Sequence, residues 1–126
     1  MKPWKRIEPT EVLFDSWKHI TRKHFIRGDG GIADMETDGA EGSIDVAVVA
    51  LTPENTVVIA KQFRPGPEKV MNELQGGMAD KGEEPESAAL RELQEETGYT
   101  TNEPLEYIGT IYRNAYANQK SMYFIA

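Results

Sequence analysis

The apolar positions fall into short blocks, and most repeat with the period of a strand. Residues 44–51 (IDVAVVAL) form a nearly continuous apolar run of strand length. After the turn Thr52-Pro53-Glu54-Asn55, residues 56–63 (TVVIAKQF) form a second. Together they predict two buried strands, joined as a hairpin in the middle of a mixed sheet. Upstream, residues 12–26 mix polar with β-branched and aromatic positions and predict extended structure with a break near Asp15-Ser16. Gly28-Asp29-Gly30-Gly31 predicts a turn, residues 32–37 a short strand closed by Asp38-Gly39, and Pro65-Gly66-Pro67 a break after Arg64. Residues 71–74 lead into Gln75-Gly76-Gly77. Residues 105–112 and 121–125 read as further strands, separated by a polar, turn-prone stretch.

One segment has the helical period. Across residues 85–97, Ala89, Leu90, Leu93 and Thr97 share one arc. Pro85 suits a first turn, where its missing N–H costs nothing. Glu83, Glu84 and Glu86 favour that same end through the helix dipole. Gly98 stands where a helix stops. The chain is therefore predicted to be α/β, with a mixed sheet and one strongly marked helix.

Composition narrows this further. At 126 residues the chain is expected to be a single domain. It has no cysteine, which excludes disulfides and thiolate metal sites. No apolar run approaches a membrane span, and the N-terminus has no hydrophobic signal region, so a cytoplasmic location is expected. The net charge of -7 argues against general nucleic-acid binding. It is unevenly placed: residues 1–27 carry seven Lys or Arg against three acids, a net of +4, which leaves -11 for the rest. That basic stretch reads either as a solvated strand pair or as a face for phosphate or an acidic partner. Its aromatics, Trp4, Trp17 and Phe25, read as hairpin core or dimer seam before they read as base-stacking rings. His19 and His24, with no carboxylate cluster evident beside them, read as strand-surface residues and not as ligands.

The second arc of the helix holds Glu92, Glu95 and Glu96. Carboxylates one turn apart repel each other, so such an arc either faces water or receives a cation. Oxygen-only ligands suit a hard ion such as Mg²⁺ or Mn²⁺. A solvated acidic face is the ordinary outcome for an acidic helix. The spacing around it is not ordinary. Gly77, Glu83, Arg91, Glu92, Leu93, Glu95, Glu96 and Gly98 occupy the fixed positions of a 23-residue pattern, residues 77–99. In that register the chain resembles the Nudix family, with Tyr99 in a slot that is usually aliphatic.

The resemblance implies a Nudix-type α/β/α sandwich with a mixed β-sheet and a loop-helix catalytic box. It implies that Glu92, Glu95 and Glu96, with the Gly76 carbonyl, hold more than one Mg²⁺ or Mn²⁺ ion. Glu83 would pair with Arg91 to hold loop against helix, and Gly77 and Gly98 would be structural box glycines. Some members use the glutamate equivalent to Glu92 as general base and others a glutamate outside the box. No glutamate follows Glu106, which makes Glu92 the preferred base.

Lys61-Gln62-Phe63-Arg64 resembles the segment before the box in the ADP-ribose and nucleotide-sugar branch, and residues 72–77 resemble that branch's entry to the box, with Gln75 and Gly76 departing from it. The branch implies substrate-binding roles for Arg64, Phe63 and Glu73, and Arg64 suits phosphate by its fork geometry. It also implies a homodimer through exchanged N-terminal strands, here residues 1–38. The proline common in the loop after the box is missing, and the chain stops at Ala126 with no closing helix. The expectation is a shortened chain or a minimal version covered by a partner subunit. The function expected is metal-dependent hydrolysis of a nucleoside diphosphate linked to another group, ADP-ribose or a nucleotide sugar first. Nucleoside triphosphates, dinucleoside polyphosphates and a non-catalytic ligand-binding module remain as alternatives.

Overall fold

A computed structural model describes residues 2–126, which form two compact units. The first holds the chain up to Ser43 together with Tyr112–Gln119. Its sheet is an antiparallel meander of β1 (Lys5–Asp15), β2 (His19–Ile26) and β3 (Ile32–Asp38), in that order. The first strand starts seven residues earlier than the apolar pattern suggests. Pro9 and the flanking charges hide it, and an irregularity between Ile7 and Glu11 absorbs the proline on an edge strand. The 112–119 segment is tied to the end of β3: Asp38 N–H donates to the Tyr116 carbonyl (3.0 Å) and Asn118 N–H to that of Asp38 (2.8 Å).

Several of the basic residues of this unit are paired within it. Arg6 and Lys23 both reach Glu41, and Arg22 bridges Glu11 and Glu36. Lys23 foremost, then Arg6, holds the Glu41 carboxyl below the usual carboxylate range. This favours the solvated strand pair over a free cationic face. The histidines do have acids beside them, contrary to expectation. His24 Nδ1 lies 2.7 Å from Asp34 and its Nε2 3.6 Å from Glu11, while His19 Nδ1 lies 3.0 Å from Asp15. Cross-strand pairing brought Glu11 and Asp34 to His24 across sequence gaps that a linear reading does not bridge, whereas Asp15 and His19 are already near neighbours in sequence.

The second unit holds Ile44–Ile111 and Lys120–Ala126. It contains β4 (Ile44–Val49), β5 (Ala60–Arg64), β6 (Lys69–Glu73), β7 (Gln75–Met78), α1 (Pro85–Thr97), all but the last residue of β8 (Glu106–Tyr112), and β9 (Lys120–Ile125). A mixed sheet runs in the order β7-β4-β9-β8. Central β4 pairs antiparallel with β7 (Val46↔Gly77, Ala47↔Gly76, Val48↔Gln75) and parallel with β9 (Val46↔Met122, Val48↔Phe124). A parallel pair needs a long crossover, and the intervening chain, α1 included, supplies it. Alternation along β4 sends Val46 and Val48 into a core with Ala88, Ala89, Leu93, Leu105 and Phe124. Among the described residues α1 is the only helix.

The expected hairpin between the two apolar runs does not form. Both edges of β4 are already taken, so residues 56–63 meet the first run only at a bridge between Leu51 and Val57. The ladder of β5 instead goes to β6, from Ala60↔Glu73 to Arg64↔Lys69. Two adjacent apolar strands specify burial; they do not specify which edge each one pairs with.

Candidate active site

The candidate site is carried by α1 and the strands that lead into it. Pro85 opens the helix, and Glu86 accepts a hydrogen bond from the Leu105 N–H (2.9 Å). Gly98 closes it in the left-handed conformation (φ 76°), its N–H returning to the Gln94 carbonyl at 2.9 Å. Ala88, Ala89 and Leu93 are buried against the sheet, and Glu92 and Glu96 lie along the flank of the helix that meets β7, with Arg91 and Glu95 beside them.

Arg91 organises that side. Its Nε and Nη2 donate to the two oxygens of Glu83 at 3.1 and 3.0 Å. Its Nη1 donates to Glu92 (2.7 Å) and Glu95 (3.2 Å), and Nη2 also reaches the Met78 carbonyl (3.1 Å). One guanidinium thus offsets three carboxylates and fastens the loop before the helix to the helix itself. Glu83 first, then Glu92, pushes the Arg91 pKa up. Arg91 first, then the Asp80 N–H (2.8 Å), holds the Glu83 carboxyl below its ordinary value.

That last shift has a pH consequence. A carboxyl whose folded pKa is depressed adds stability that is fully present above its unfolded value of about 4.5 and is lost as pH falls through the folded value. The wild-type melting temperature should therefore fall more steeply on acidification below about pH 4.5 than that of Glu83→Gln. Thermal melts across pH 3 to 7 would test this, and parallel profiles would refute it.

Glu96 has different partners. Its Oε2 accepts the Gly76 N–H at 3.1 Å, and its Oε1 accepts the Gln62 side-chain amide. Gly76 and Gly77 let the backbone of β7 come this close. A Cβ on Gly77 would stand 2.4 Å from a Glu92 oxygen, and one on Gly76 would stand 2.2 Å from the Val46 carbonyl oxygen. Nearby on β5 and β6, Arg64 and Glu73 form a bidentate pair, with Nε at 2.9 and 3.0 Å from the two oxygens and Nη2 also engaged. Each holds the other charged: Glu73 raises the Arg64 pKa and Arg64 lowers that of Glu73.

The structure thus brings together Glu83, Arg91, Glu92 and Glu95 in one network, and Glu96 with Gly76 in an adjoining one. Arg64 and Glu73 are paired with each other. Phe63 does not join them: it is exposed, and strand alternation points it to the face opposite Gln62 and Arg64. Two residues were missed by sequence reasoning. Gln62 could have been found from its i, i+2 relation to Arg64. Gln75, fully buried with its Nε2 donating to the Val58 carbonyl (2.9 Å), carried no such signal.

Among the described residues no three acidic or imidazole groups converge as a metal cluster; Arg91 engages Glu92 and Glu95, while Gln62 and the Gly76 N–H engage Glu96. The donor set nevertheless fits a hard divalent ion. It is all oxygen, and Glu92 and Glu96 lie one helical turn apart against the bare backbone of Gly76 and Gly77.

A mixed sheet with one helix laid on it, a glycine-lined strand before that helix and an arginine-centred set of glutamates beyond it define an α/β fold with an acidic loop-helix site. The model of the NUDIX domain family matches residues 43–126, and the chain belongs to that family. It is 54% identical over 55 residues to the ADP-ribose pyrophosphatase of Bacillus subtilis (strain 168), covering 44% of this chain and 30% of that protein. It is 52% identical over 54 residues to the methanol dehydrogenase activator of Bacillus methanolicus, covering 43% and 29%. The matched stretches therefore span under a third of those relatives. The fold is similar to a crystal structure described as an ADP compounds hydrolase, with a TM-score of 0.85 at 20% identity, over all of this chain and 68% of that one.

Proposed function

We propose that this protein hydrolyses the diphosphate of a nucleoside diphosphate joined to a second group, with ADP-ribose or a nucleotide sugar as the first candidates. The observation that carries the proposal is the placement of Glu92 and Glu96 against the Gly76–Gly77 backbone, with Glu95 joined to Glu92 through Arg91 and the Arg64–Glu73 pair on the neighbouring strands. The likeness to an ADP-ribose pyrophosphatase supports the choice of substrate.

A diphosphate resists attack because its anionic oxygens repel a nucleophile. Members of this family generally use divalent metal ions. Here Glu92, Glu95, Glu96 and the Gly76 carbonyl would hold Mg²⁺ or Mn²⁺, which neutralises phosphate charge and acidifies bound water. The chain's own residues do the rest. Arg64 contacts Glu73 through Nε and Nη2, so Glu73 fixes the guanidinium plane while Nη1 lies outside that pairing and is free to address a phosphate oxygen. Glu92 accepts the proton of the attacking water as its oxygen bonds to phosphorus. The bridging P–O bond breaks, and two monophosphates leave. Arg91 holds Glu92 in place through its Nη1.

The N-terminal sheet is proposed as a homodimer surface. On its edge strand Val12, Leu13 and Phe14 are exposed, and Trp17 beyond them is 85% exposed; an exposed apolar edge strand is a template for pairing with another chain. Among the described residues no helix is long and apolar enough to cross a membrane, and a cytoplasmic place is part of the same proposal.

The test is a substrate panel of ADP-ribose, nucleotide sugars, a dinucleoside tetraphosphate and nucleoside triphosphates. Each is run with Mg²⁺, Mn²⁺ or chelator, with the oligomeric state read by light scattering on the same sample. Metal-dependent release of two monophosphates from ADP-ribose or a nucleotide sugar is the expected result. Turnover of triphosphates alone would replace the substrate assignment. A second reading, a ligand-binding module without turnover, is favoured by one observation: Arg91 occupies Glu92 and Glu95 together. Binding of ADP-ribose with no turnover under any metal would establish it. A monomer at all concentrations would remove the dimer.

A further inference from the structure

We infer that Gln62 is a positioning residue for Glu96, fixing the plane of that carboxylate for ion binding; the inference rests on the proposed reading of Glu96 as an ion-holding group. Glu96 sits near the end of α1, where a glutamate side chain would ordinarily rotate freely in solvent. Here each of its oxygens is met by a donor from a different strand. The Gly76 N–H of β7 reaches Oε2, and the Gln62 amide of β5 reaches Oε1. Two donors, one on each oxygen, set both the position and the plane of the group. A carboxylate oxygen has two acceptor directions, so one remains open on each for a cation.

The residue type matters. A lysine or arginine at position 62 would reach Glu96 but cancel the charge the ion needs. A glutamate would repel it. Glutamine is long enough to span from strand to helix, neutral, and a donor. It is also the side chain through which the β5–β6 hairpin, whose ladder is separate from the mixed sheet, reports to the acidic arc of α1. Arg64, two residues along the same face of β5, contributes to the same region: the charge of Glu96 is among those that raise its pKa. The strand that presents the arginine therefore also sets the carboxylate.

The experiment is a Mn²⁺ titration of the full chain, read by electron paramagnetic resonance and by calorimetry, for wild type, Gln62→Met, Gln62→Asn and Glu96→Gln. Methionine keeps the length and loses the donor; asparagine keeps the donor and cannot span the gap. Both are expected to weaken Mn²⁺ binding by about 10- to 100-fold, the usual cost of losing an outer partner of a metal ligand. A role confined to packing would lower the melting temperature and leave Mn²⁺ affinity alone. If Glu96→Gln loses Mn²⁺ binding while both Gln62 variants keep it within about twofold, well short of that range, the inference is overturned and the site reading stands. If Glu96→Gln binds Mn²⁺ as wild type does, the reading of Glu96 fails and the inference with it. Should Gln62→Met not fold, Gln62→Asn decides alone.

Discussion

Glu96→Gln is expected to lose at least about 100-fold in metal-dependent kcat/KM for ADP-ribose while remaining folded. The size follows because removing an outer partner of a ligand already costs about 10- to 100-fold, and here a proposed ligand itself loses its charge. The fold survives for a specific reason. Glu96 accepts from the Gly76 N–H and from the Gln62 amide. A glutamine at 96 keeps its carbonyl oxygen for Gly76. Gln62 can then rotate its amide by half a turn and accept from the new NH₂. The hydrogen-bond network closes again, and the like-charge repulsion along Glu92, Glu95 and Glu96 is eased. Circular dichroism and a thermal melt would show a folded protein, and steady-state kinetics over a Mg²⁺ series would show the loss. A variant that turns over at the wild-type rate at the same Mg²⁺ concentration removes Glu96 from the proposed ion site.

What the sequence reveals about this fold, and what it conceals, separates along one physical line. Local signals are legible. The helix starts at Pro85 and ends at Thr97 as its dipole-favouring acids, its proline and its terminal glycine require. The strands at residues 32–38, 106–112 and 120–125 differ from their expected bounds by no more than a residue. Pairings are not legible, because β4 offers the same apolar pattern to every candidate neighbour. Its actual partners, β7 and β9, are separated from it by 25 residues or more in sequence. The site divides in the same way. The spacing of Glu83, Arg91, Glu92, Glu95 and Glu96 along one loop and helix is local, and it shows in the chain. The Gln62–Glu96 contact joins residues 34 apart through a hairpin the pattern placed against the wrong strand, so it does not. The bidentate hold of Glu73 on Arg64 likewise depends on β5 pairing with β6.

The two box-entry glycines should fail in opposite ways when each is given one methyl group. At Gly76 a Cβ would stand 2.2 Å from the Val46 carbonyl oxygen and 3.1 Å from the Ala47 Cα, all backbone of the strand it pairs with. Neither strand can yield without opening the β4–β7 ladder. Gly76→Ala is therefore expected to cost upward of about 3 kcal/mol, the top of the range for overpacking, a large part of a total stability of about 5–15 kcal/mol. At Gly77 the obstacle is the Glu92 carboxylate, 2.4 Å from the added carbon. That is the far end of a flexible side chain, so it swings aside, breaks its contact with Arg91 Nη1 and leaves the strand in place. Gly77→Ala should keep its urea midpoint close to wild type and lose about 100-fold in kcat, the scale set by a misplacement of about 1 Å in a reacting group. Urea melts and kinetics on both variants separate the cases. A Gly77→Ala enzyme with full activity would mean that Glu92 does its work from elsewhere or does none. A Gly76→Ala protein as stable as wild type would mean that β7 does not lie against β4 in the register described.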